Sequence, residues 1–289
     1  MRYLDADTTR VALPMLDAIE AMEQAFSGDS EAPLRSLVGS SLVMPGRLDD
    51  LMAVKVVSTV PGNPAGLVVA FDGEGTPLGI VDGPTLTAIR TGAGAGLATR
   101  LLAREDAATL AMLGAGAMAF DQVEAVRAVR PIREVRIWSR SYGNARGLAD
   151  RIGGVAVDSA DEAVRGADVI SCATPSTRGL FAAASVSERA HVNAVGAFTP
   201  EMAELPPDLL ERAYVVVDDV DAAAAEAGDL IQAGRHPDTT LRELLAGTAP
   251  EILEGVTVFK SVGVAAQDVA AAGRALRNAA AQGLGVDLG

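Results

Sequence analysis

The segment Thr109–Phe120, TLAMLGAGAMAF, places small residues at regular positions directly behind a short apolar run. Gly114, Gly116 and Ala119 fit the pattern G-x-G-x-x-(G/A) between a strand and a helix. The first glycine permits a tight turn, the second lets backbone N–H groups approach a phosphate, and the helix N-terminus attracts negative charge. The segment therefore predicts a site for a dinucleotide pyrophosphate, with a purely structural strand-to-helix corner as the alternative.

The end of the next strand, EVRIWSRS, indicates which dinucleotide this is. Proteins that bind NAD(H) usually place Asp or Glu there to hold the ribose 2′-hydroxyl, but this chain has Ser139, Arg140 and Ser141. A guanidinium and a hydroxyl suit a 2′-phosphate, which a carboxylate would repel. The sequence therefore favours NADP(H), with NAD(H) as the alternative. If Arg140 has no binding role, it is a solvated residue at the end of the strand.

Three cations interrupt apolar runs in the first third of the chain. They are Arg35 in APLRSLV, Lys55 in LMAVKVVSTV and Arg90 in LTAIRTGAG. A buried cation without a partner is strongly unfavourable, so each needs an internal carboxylate or a bound anion unless its head group reaches solvent. Three such residues favour a substrate that carries a carboxylate.

The first hundred residues predict a lobe of mixed helix and strand. DTTRVALPMLDAIEAMEQAFSGD predicts one amphipathic helix that buries Leu16, Ile19, Met22 and Phe26. SSLVMPG, LMAVKVVSTV, GLVVAFD and PLGIVDG are separated by turn residues and predict an antiparallel meander. The long helix PTLTAIRTGAGAGLATRLLARED follows, rich in Ala and Gly.

From Thr109 onward, short apolar strands such as TLAMLG, EVRIWSR and DVISCATPS alternate with helices. This alternation predicts a doubly wound parallel sheet. The expected fold class is α/β, with a Rossmann-type domain at residues 105–264 and an α+β lobe at residues 1–104. The last helix, in residues 265–289, is expected to return to that lobe.

Composition limits the partners of the chain. With a net charge of −14 and 3% aromatic residues, the 289-residue chain lacks the basic face that nucleic acid requires. Cys172 is the single cysteine, so an intramolecular disulfide is excluded. The charged start does not resemble a signal peptide, and no apolar run approaches the roughly 20 residues that span a bilayer. We expect a cytoplasmic protein with a small-molecule ligand and no nucleic-acid or membrane partner.

The remaining reactive residue types predict little chemistry. His191 and His236 lack metal-ligand spacing, so both are expected to be structural or on the surface, and no metal is expected. Cys172 ends a predicted buried strand and is expected to be a core residue. The acidic run DDVDAAAAEAGD lacks the regularity of a calcium loop and predicts a helix start with a solvated face. Glu226 is its one candidate functional member.

Eight segments, in this order, resemble the ornithine cyclodeaminase/μ-crystallin family: PLRS, VKVVSTVPGNP, LTAIRTGAGAGLATRLLA, LGAGAMA, IWSRS, VNAVGAFTPEMAEL, AEAGDL and FKSVGVAAQD. The resemblance implies an N-terminal lobe for substrate binding and dimerisation beside the Rossmann domain, so a homodimer is expected. It implies that Arg35, Lys55 and Arg90 grip a substrate carboxylate and that Glu226 faces the ligand. Together with the motifs above, the cofactor-binding positions become Thr91, Gly114, Gly116, Ala117, Met118, Ser139, Arg140, Ser141, Thr174, Val195, Ala197 and Ser261.

Two positions depart from the family pattern. Cyclodeaminases resemble one another in having an Asp where this chain has Phe198, two residues after the glycine of NAVG. A phenyl ring cannot transfer a proton or activate water, so self-contained deamination and cyclisation of ornithine is not expected. Met118 replaces a Gln found in many relatives and leaves the backbone of the glycine loop unchanged.

The segment AFTPEMAEL resembles the corresponding segment in the Δ1-pyrroline-2-carboxylate reductase branch of the family. This resemblance implies NAD(P)H-dependent reduction of a cyclic ketimine, Δ1-pyrroline-2-carboxylate or its six-membered homologue Δ1-piperideine-2-carboxylate, to L-proline or L-pipecolate. Lys55, Arg90 and Glu226 are the predicted catalytic residues. The alternatives are an alanine dehydrogenase-like or ornithine cyclodeaminase-like enzyme, and a μ-crystallin-like protein that binds NADPH and a small ligand.

Overall fold

The structure, a computed structural model, describes residues 1–60, 65–251 and 255–289. The chain divides into two compact units: unit 1, residues 1–93 and 264–289, and unit 2, residues 94–263. The division falls inside the long helix α3 (Gly83–Leu102), whereas the sequence pattern predicts a boundary after residue 104. The last four residues of the segment VKVVSTVPGNP, 61–64, lie outside the described residues. None of the described helices is long and apolar enough to cross a membrane.

Unit 1 is built on one mixed sheet. Besides the start of α3, its elements are β1 (Arg2–Leu4), α1 (Ala6–Ala12), α2 (Met15–Ser27), β2 (Ser30–Glu31), β3 (Ser36–Val38), β4 (Ser41–Leu48), β5 (Leu51–Ser58), β6 (Gly66–Asp72), β7 (Pro77–Asp82), α11 (Ala265–Gln282) and β16 (Val286–Asp287). The strand order is β16-β1-β7-β6-β5-β4-β2, and β3 pairs with β4. Strands β4 to β7 pair antiparallel, as the predicted meander requires.

The predicted first helix is two helices. They are separated at Pro14, which lacks the N–H that a continuous helix would need at that position. Leu16 was predicted to be buried and is 59% exposed, because α2 begins anew after the proline and this residue lies in its solvent-facing first turn. The other three predicted core residues are buried: Ile19, Met22 and Phe26.

Alternation along β5 gives the sheet a buried and an exposed face. Ala53 and Lys55 are buried, whereas Met52 and Val56, on either side of this pair, are exposed. The helix α11 packs against β4, β5 and α2. Its small residues permit this close approach, since a Cβ atom on Gly46 of β4 would lie 2.8 Å from the Cβ of Ala265.

Unit 2 is a doubly wound parallel sheet. Besides the end of α3 and a 3-10 turn at Ala183–Ser185, its elements are β8 (Thr109–Leu113), α4 (Ala119–Val129), β9 (Glu134–Trp138), α5 (Tyr142–Ile152), β10 (Val155–Ala156), α6 (Ala160–Val164), β11 (Val169–Cys172), β12 (His191–Ala194), α7 (Pro207–Arg212), β13 (Tyr214–Val217), α8 (Val220–Glu226), α9 (Gly228–Ala233), β14 (Thr239–Thr240), α10 (Leu241–Ala246) and β15 (Thr257–Lys260). The strand order is β10-β9-β8-β11-β12-β15-β13-β14, with every pair parallel. Its first five positions, from β10 to β12, follow the Rossmann order 3-2-1-4-5, and β15, the last strand of unit 2 in the chain, takes the sixth position. The predicted α/β fold with a Rossmann-type sheet is confirmed.

The histidines and the cysteine of unit 2 have structural surroundings. His191 is fully buried; its Nδ1 lies 2.9 Å from Thr257 Oγ1 and its Nε2 lies 3.1 Å from Asn193 Oδ1. Burial lowers the pKa of His191 to about 4, so the ring is neutral at physiological pH. His236 is exposed. Cys172 is fully buried, and burial raises the pKa of its thiol, which makes it a poor nucleophile.

Candidate functional site

The carboxyl ends of the parallel strands in unit 2 border a cavity of about 900 Å³. Its walls are the glycine loop after β8, the end of β9 and the loop after β11. Its lining includes Gly114, Gly116, Ser139, Arg140, Thr174 and Arg178. Doubly wound sheets bind dinucleotides at this edge, where the strand order reverses.

The glycine loop has the shape that a pyrophosphate requires. Gly114 has a φ of +111°, and a Cβ atom there would lie 2.5 Å from the carbonyl oxygen of Ala173. Gly116 is exposed, and a Cβ atom there would meet nothing within 4 Å, so the loop is open above its backbone. The helix α4 follows without a side-chain cap, which leaves its first N–H groups for an anion. The residues present therefore fit a dinucleotide.

The cavity is electropositive although the chain is acidic. Arg140 follows β9 and Arg178 lies in the loop after β11, and both line the cavity. Among the residues that the structure describes, no Asp or Glu lines it. Arg178 was missed by the sequence analysis because its loop, TPSTRGL, contains no pattern that predicts a binding role.

A buried cluster of charges lies in unit 1. Lys55 Nζ is 2.7 Å from Asp268 Oδ2, and Arg90 Nε is 3.1 Å from Asp268 Oδ1. A second Arg90 nitrogen, Nη1, donates to Gln267 Oε1 at 2.9 Å. The side chains of Lys55 and Asp268 are each only 2% exposed. Two cations share one carboxylate, so the cluster carries surplus positive charge and suits a small anion.

The ammonium group of Lys55 can exchange a proton near neutral pH. Burial, together with the charges of Arg90 and Arg35, lowers the pKa of Lys55 to about 8, although the charge of Asp268 opposes this change. The group is therefore mostly protonated at pH 7 and loses its proton when the pH rises through about 8. A group with this pKa can act as a general acid.

Comparison with known proteins places this arrangement in a family. The sequence profile of the ornithine cyclodeaminase/mu-crystallin family matches residues 8–283. The chain belongs to that family. This confirms the resemblance that the eight sequence segments indicated.

Individual relatives cover almost the whole chain. It is 36% identical to a Delta(1)-pyrroline-2-carboxylate reductase of Bacillus cereus, over 99% of this chain and 98% of that protein. It is 34% identical to the ketimine reductase mu-crystallin of Mus musculus, over 90% and 88%. Its fold superposes on the Delta(1)-pyrroline-2-carboxylate reductase of Thermococcus litoralis, solved with NADH and L-proline, with a TM-score of 0.93, 30% identity and full coverage of both chains.

In this family member, Arg35 differs from its sequence prediction. It lies in the loop between β2 and β3, is half-buried, and has exposed neighbours in Leu34 and Leu37. The prediction of a cation inside a buried apolar run was wrong for Arg35, because β3 pairs only with β4 and is exposed along its length. Its charge is nevertheless close enough to lower the pKa of Lys55.

The carboxylate partner of the buried cations was missed. Asp268 lies in the first turn of α11, 178 residues from Arg90 in the chain. Its neighbour Gln267 accepts hydrogen bonds from Arg90 and, at 3.0 Å, from the backbone N–H of Val264. One side chain thus caps α11 and orients the guanidinium. The need for an internal carboxylate or an anion was predicted, but no local pattern distinguishes Asp268 from a solvated residue of a helix start.

The acidic run DDVDAAAAEAGD is only partly solvated. Its first and last members, Asp218 and Asp229, are buried, so the predicted solvated face was wrong for both. Asp218 Oδ2 accepts hydrogen bonds from Ser261 Oγ at 2.7 Å and from the backbone of Val262 and Gly263. It therefore fixes the loop after β15, which contains the predicted cofactor position Ser261.

Some of the other predicted positions line the cavity and the others do not. Ser139 and Thr174 line the cavity, whereas Ser141 caps α5 by accepting a hydrogen bond from the N–H of Asn144 at 3.4 Å. Glu226 is half-buried at the end of α8 and does not line the cavity. Ala117 and Met118 lie in the turn before α4, Val195 and Ala197 lie in the loop after β12, and Thr91 lies within α3.

Proposed function

We propose that this chain is an NAD(P)H-dependent reductase of cyclic ketimine carboxylates. Its substrate is Δ1-pyrroline-2-carboxylate, reduced to L-proline, with Δ1-piperideine-2-carboxylate, reduced to L-pipecolate, as the second candidate. The observation that carries the proposal is the buried cluster of Lys55, Arg90 and Asp268, whose surplus positive charge suits a small carboxylate. The relatives named as reductases of Δ1-pyrroline-2-carboxylate support the choice of ring.

Arg90 binds the substrate carboxylate in this proposal. Asp268 and Gln267 hold two of its nitrogens, Nε and Nη1, which fixes the guanidinium plane. The third nitrogen, Nη2, makes no hydrogen bond to the part of the chain that the structure describes and is offered to a ligand. Arg35, on its half-buried loop, supplies a second cation. A carboxylate held in this way fixes the orientation of the adjacent imine carbon.

Lys55 delivers the proton. The imine nitrogen becomes an amine when the carbon of the C=N bond gains a hydride and the nitrogen gains a proton. A protonated imine accepts hydride more readily, so a buried ammonium with a pKa of about 8 is suited to this step. Gly114, Gly116 and Thr174 would hold the dinucleotide, and when bound the reduced nicotinamide supplies the hydride.

Ornithine cyclodeamination is less well supported. Phe198, at the position where cyclodeaminases have an Asp, is 41% exposed and offers no group that moves a proton. The same absence counts against an alanine dehydrogenase-like reaction, which has to handle ammonia. Reduction of a preformed imine requires neither an Asp at position 198 nor a group that handles ammonia.

A spectrophotometric assay of reduced nicotinamide tests the proposal. NADPH and NADH are each supplied with Δ1-pyrroline-2-carboxylate, and separately with pyruvate plus ammonia. Ornithine with the oxidised cofactors is the third reaction, and it is followed by the release of ammonia, because cyclodeamination regenerates the cofactor. Rapid oxidation with the cyclic imine alone is the expected result. Tight NADPH binding without turnover on any substrate would contradict the reductase and support a binding protein.

We expect the enzyme to prefer NADPH and Arg140 to set this preference. Arg140→Ala should raise KM for NADPH by about 10- to 100-fold and KM for NADH by less than about twofold, because a charge-assisted hydrogen bond to the 2′-phosphate is worth about 1.5–3 kcal/mol. Steady-state kinetics with both cofactors measures this. Arg146→Ala, an exposed α5 arginine outside the cavity lining, is the matched control. An equal effect on both cofactors would assign Arg140 to the shared part of the dinucleotide.

We also propose a homodimer that buries the exposed face of the unit 1 sheet. Val56 of β5 pairs across the strands with Leu67 of β6, and the two are 43% and 44% exposed. The two strands place their apolar outward-facing residues side by side: Met52, Val54, Val56, Leu67, Val69 and Phe71. Contiguous apolar surface of this kind marks an interaction site.

Introducing a charge at this face should separate the protomers. Val56→Glu is expected to convert the dimer to a monomer, because association would bury an unpaired carboxylate. Light scattering coupled to size-exclusion chromatography measures the mass. Val155→Glu, at a 56% exposed strand position of unit 2, is the control and should leave the mass unchanged. A dimeric Val56→Glu variant would place the interface elsewhere.

A further inference from the structure

Glu204 is a fully buried carboxylate that joins two strand ends of unit 2. Its Oε1 accepts hydrogen bonds from the backbone N–H of Thr174 at 2.6 Å and from Thr174 Oγ1 at 2.8 Å. Its Oε2 accepts from the backbone N–H groups of Gly196 at 2.7 Å and Ala197 at 3.2 Å. Thr174 follows β11 and Gly196 follows β12, so one side chain links the loops after two neighbouring parallel strands.

These loops belong to one half of the dinucleotide site. In the Rossmann order, β8, β9 and β10 form the half that carries the glycine loop, and β11 and β12 belong to the second half. The second half faces the nicotinamide end of a dinucleotide. The two loops touch, since a Cβ atom on Gly196 would lie 2.2 Å from the Thr174 nitrogen and 2.6 Å from Glu204 Oε1. A shift at Glu204 is therefore transmitted to Thr174, which lines the cavity.

Two further buried charges surround Glu204. Asp229 on α9 accepts hydrogen bonds through Oδ1 from the backbone N–H groups of Glu204, at 2.6 Å, and Leu205, at 2.8 Å. Its Oδ2 lies 2.8 Å from Nζ of Lys260 at the end of β15, and Lys260 also donates to the carbonyl oxygen of Ala197. Lys260 thus pairs directly with Asp229 and acts on Glu204 through its charge. The two carboxylates outnumber the one ammonium, the reverse of the balance at Lys55.

The protonation of Glu204 alters these contacts. Burial raises the pKa of Glu204 to about 7 against the charge of Lys260, and Asp229 adds to the rise. The other titratable group near it is the Cys172 thiol, whose pKa is raised by burial and by Glu204, so it stays protonated. All four contacts donate hydrogen to Glu204. An ionised carboxylate accepts all four, whereas a protonated one presents a hydrogen of its own and has to release a partner.

We propose that Glu204 is a positioning residue for the nicotinamide half of the dinucleotide site: its ionised form holds the loops of Thr174 and Ala197 in the binding arrangement, and its protonation weakens binding there. It acts through Thr174 and does not itself touch the ligand. The inference rests on the dinucleotide site proposed above and adds a proton-dependent control of its affinity.

Calorimetric titration of the full-length protein with NADH and with ADP-ribose tests this inference. ADP-ribose lacks the nicotinamide, and both ligands lack a 2′-phosphate whose own titration would obscure the comparison. Because apparent affinity scales with the competent fraction, the Kd of NADH should weaken about tenfold between about pH 8 and about pH 6, while that of ADP-ribose stays constant. Glu204→Gln should weaken the binding of NADH about tenfold at pH 8 and make its Kd independent of pH. The Kd of ADP-ribose should stay unchanged.

A matched control is Asp161→Asn. Asp161 is another carboxylate of unit 2 that fixes a loop, accepting from the Ala182 N–H and Ser185 Oγ, and its loss should not change either Kd. A pH-independent Kd for NADH in the wild-type protein overturns the inference, and needs no variant to fold. Equal weakening of both ligands by Glu204→Gln overturns it too, since that would be a general structural effect. If neither of these ligands binds the wild-type protein and NADPH does not bind it either, the dinucleotide site itself is refuted.

Discussion

Replacing Lys55 with methionine is expected to lower kcat for reduction of Δ1-pyrroline-2-carboxylate by a factor of about 10²–10⁴, the usual contribution of a general acid. The fold should survive, because Asp268 keeps its ion pair with Arg90 and methionine fills a similar volume. The Kd of NADPH should stay within about twofold. Stopped-flow and steady-state kinetics, with calorimetric binding of the cofactor, measure these quantities.

The dependence of kcat on pH shows whether Lys55 delivers a proton or only supplies a positive charge. The reactive form of Lys55 is the protonated one, so wild-type kcat should fall as the pH rises through about 8, and this limb should vanish in Lys55→Met. Lys55→Arg keeps the cation but holds its proton too tightly to release it. It should preserve KM while kcat stays low. A Lys55→Met enzyme with nearly normal kcat and a raised KM would show that Lys55 only binds the carboxylate.

Neutralising Asp268 should have the largest effect on stability. Asp268→Asn leaves Lys55 and Arg90 buried without a counter-charge, and breaking a buried pair in this way costs about 3–5 kcal/mol of unfolding free energy. Urea denaturation measures the loss. In protein that remains folded, the pKa of Lys55 should fall further, since Asp268 is the charge that raises it. The high-pH limb of kcat should therefore move to lower pH.

The matched control is Asp29→Asn. Asp29 also pairs with an arginine, Arg47, at 3.0 Å, but its side chain is 78% exposed. An exposed pair contributes at most about 1 kcal/mol, so this variant should unfold almost as the wild type does. An Asp268→Asn variant that is equally stable would mean that water or another group compensates the two buried cations.

Short-range chemistry made much of unit 2 predictable. The turn at Gly114, the open backbone at Gly116 and the strand–helix alternation all depend on neighbours in the chain, so the parallel sheet and its cavity followed from local patterns. Unit 1 was predictable in its meander for the same reason. The exposure of Leu16 was not, because α2 begins anew after Pro14 and Leu16 lies in its exposed first turn.

Local sequence patterns could not identify the buried acidic residues. Asp268, Glu204 and Asp229 have the same local surroundings as solvated helix and loop residues, and only their distant partners make burial tolerable. Arg90 and Asp268 are 178 residues apart, and Glu204 and Thr174 are 30 apart. A sequence can state that a buried cation needs a counter-charge, but the fold decides which carboxylate supplies it.

The helix α11 completes unit 1 but is synthesised after all the other helices. Unit 1 consists of two segments, and α11 belongs to the second, so all of unit 2 is synthesised before unit 1 is complete. Until α11 arrives, Lys55 and Arg90 lack Asp268 and the inner face of β4 and β5 has no cover. Unit 2 can therefore fold during translation, whereas unit 1 becomes stable only once α11 has been synthesised.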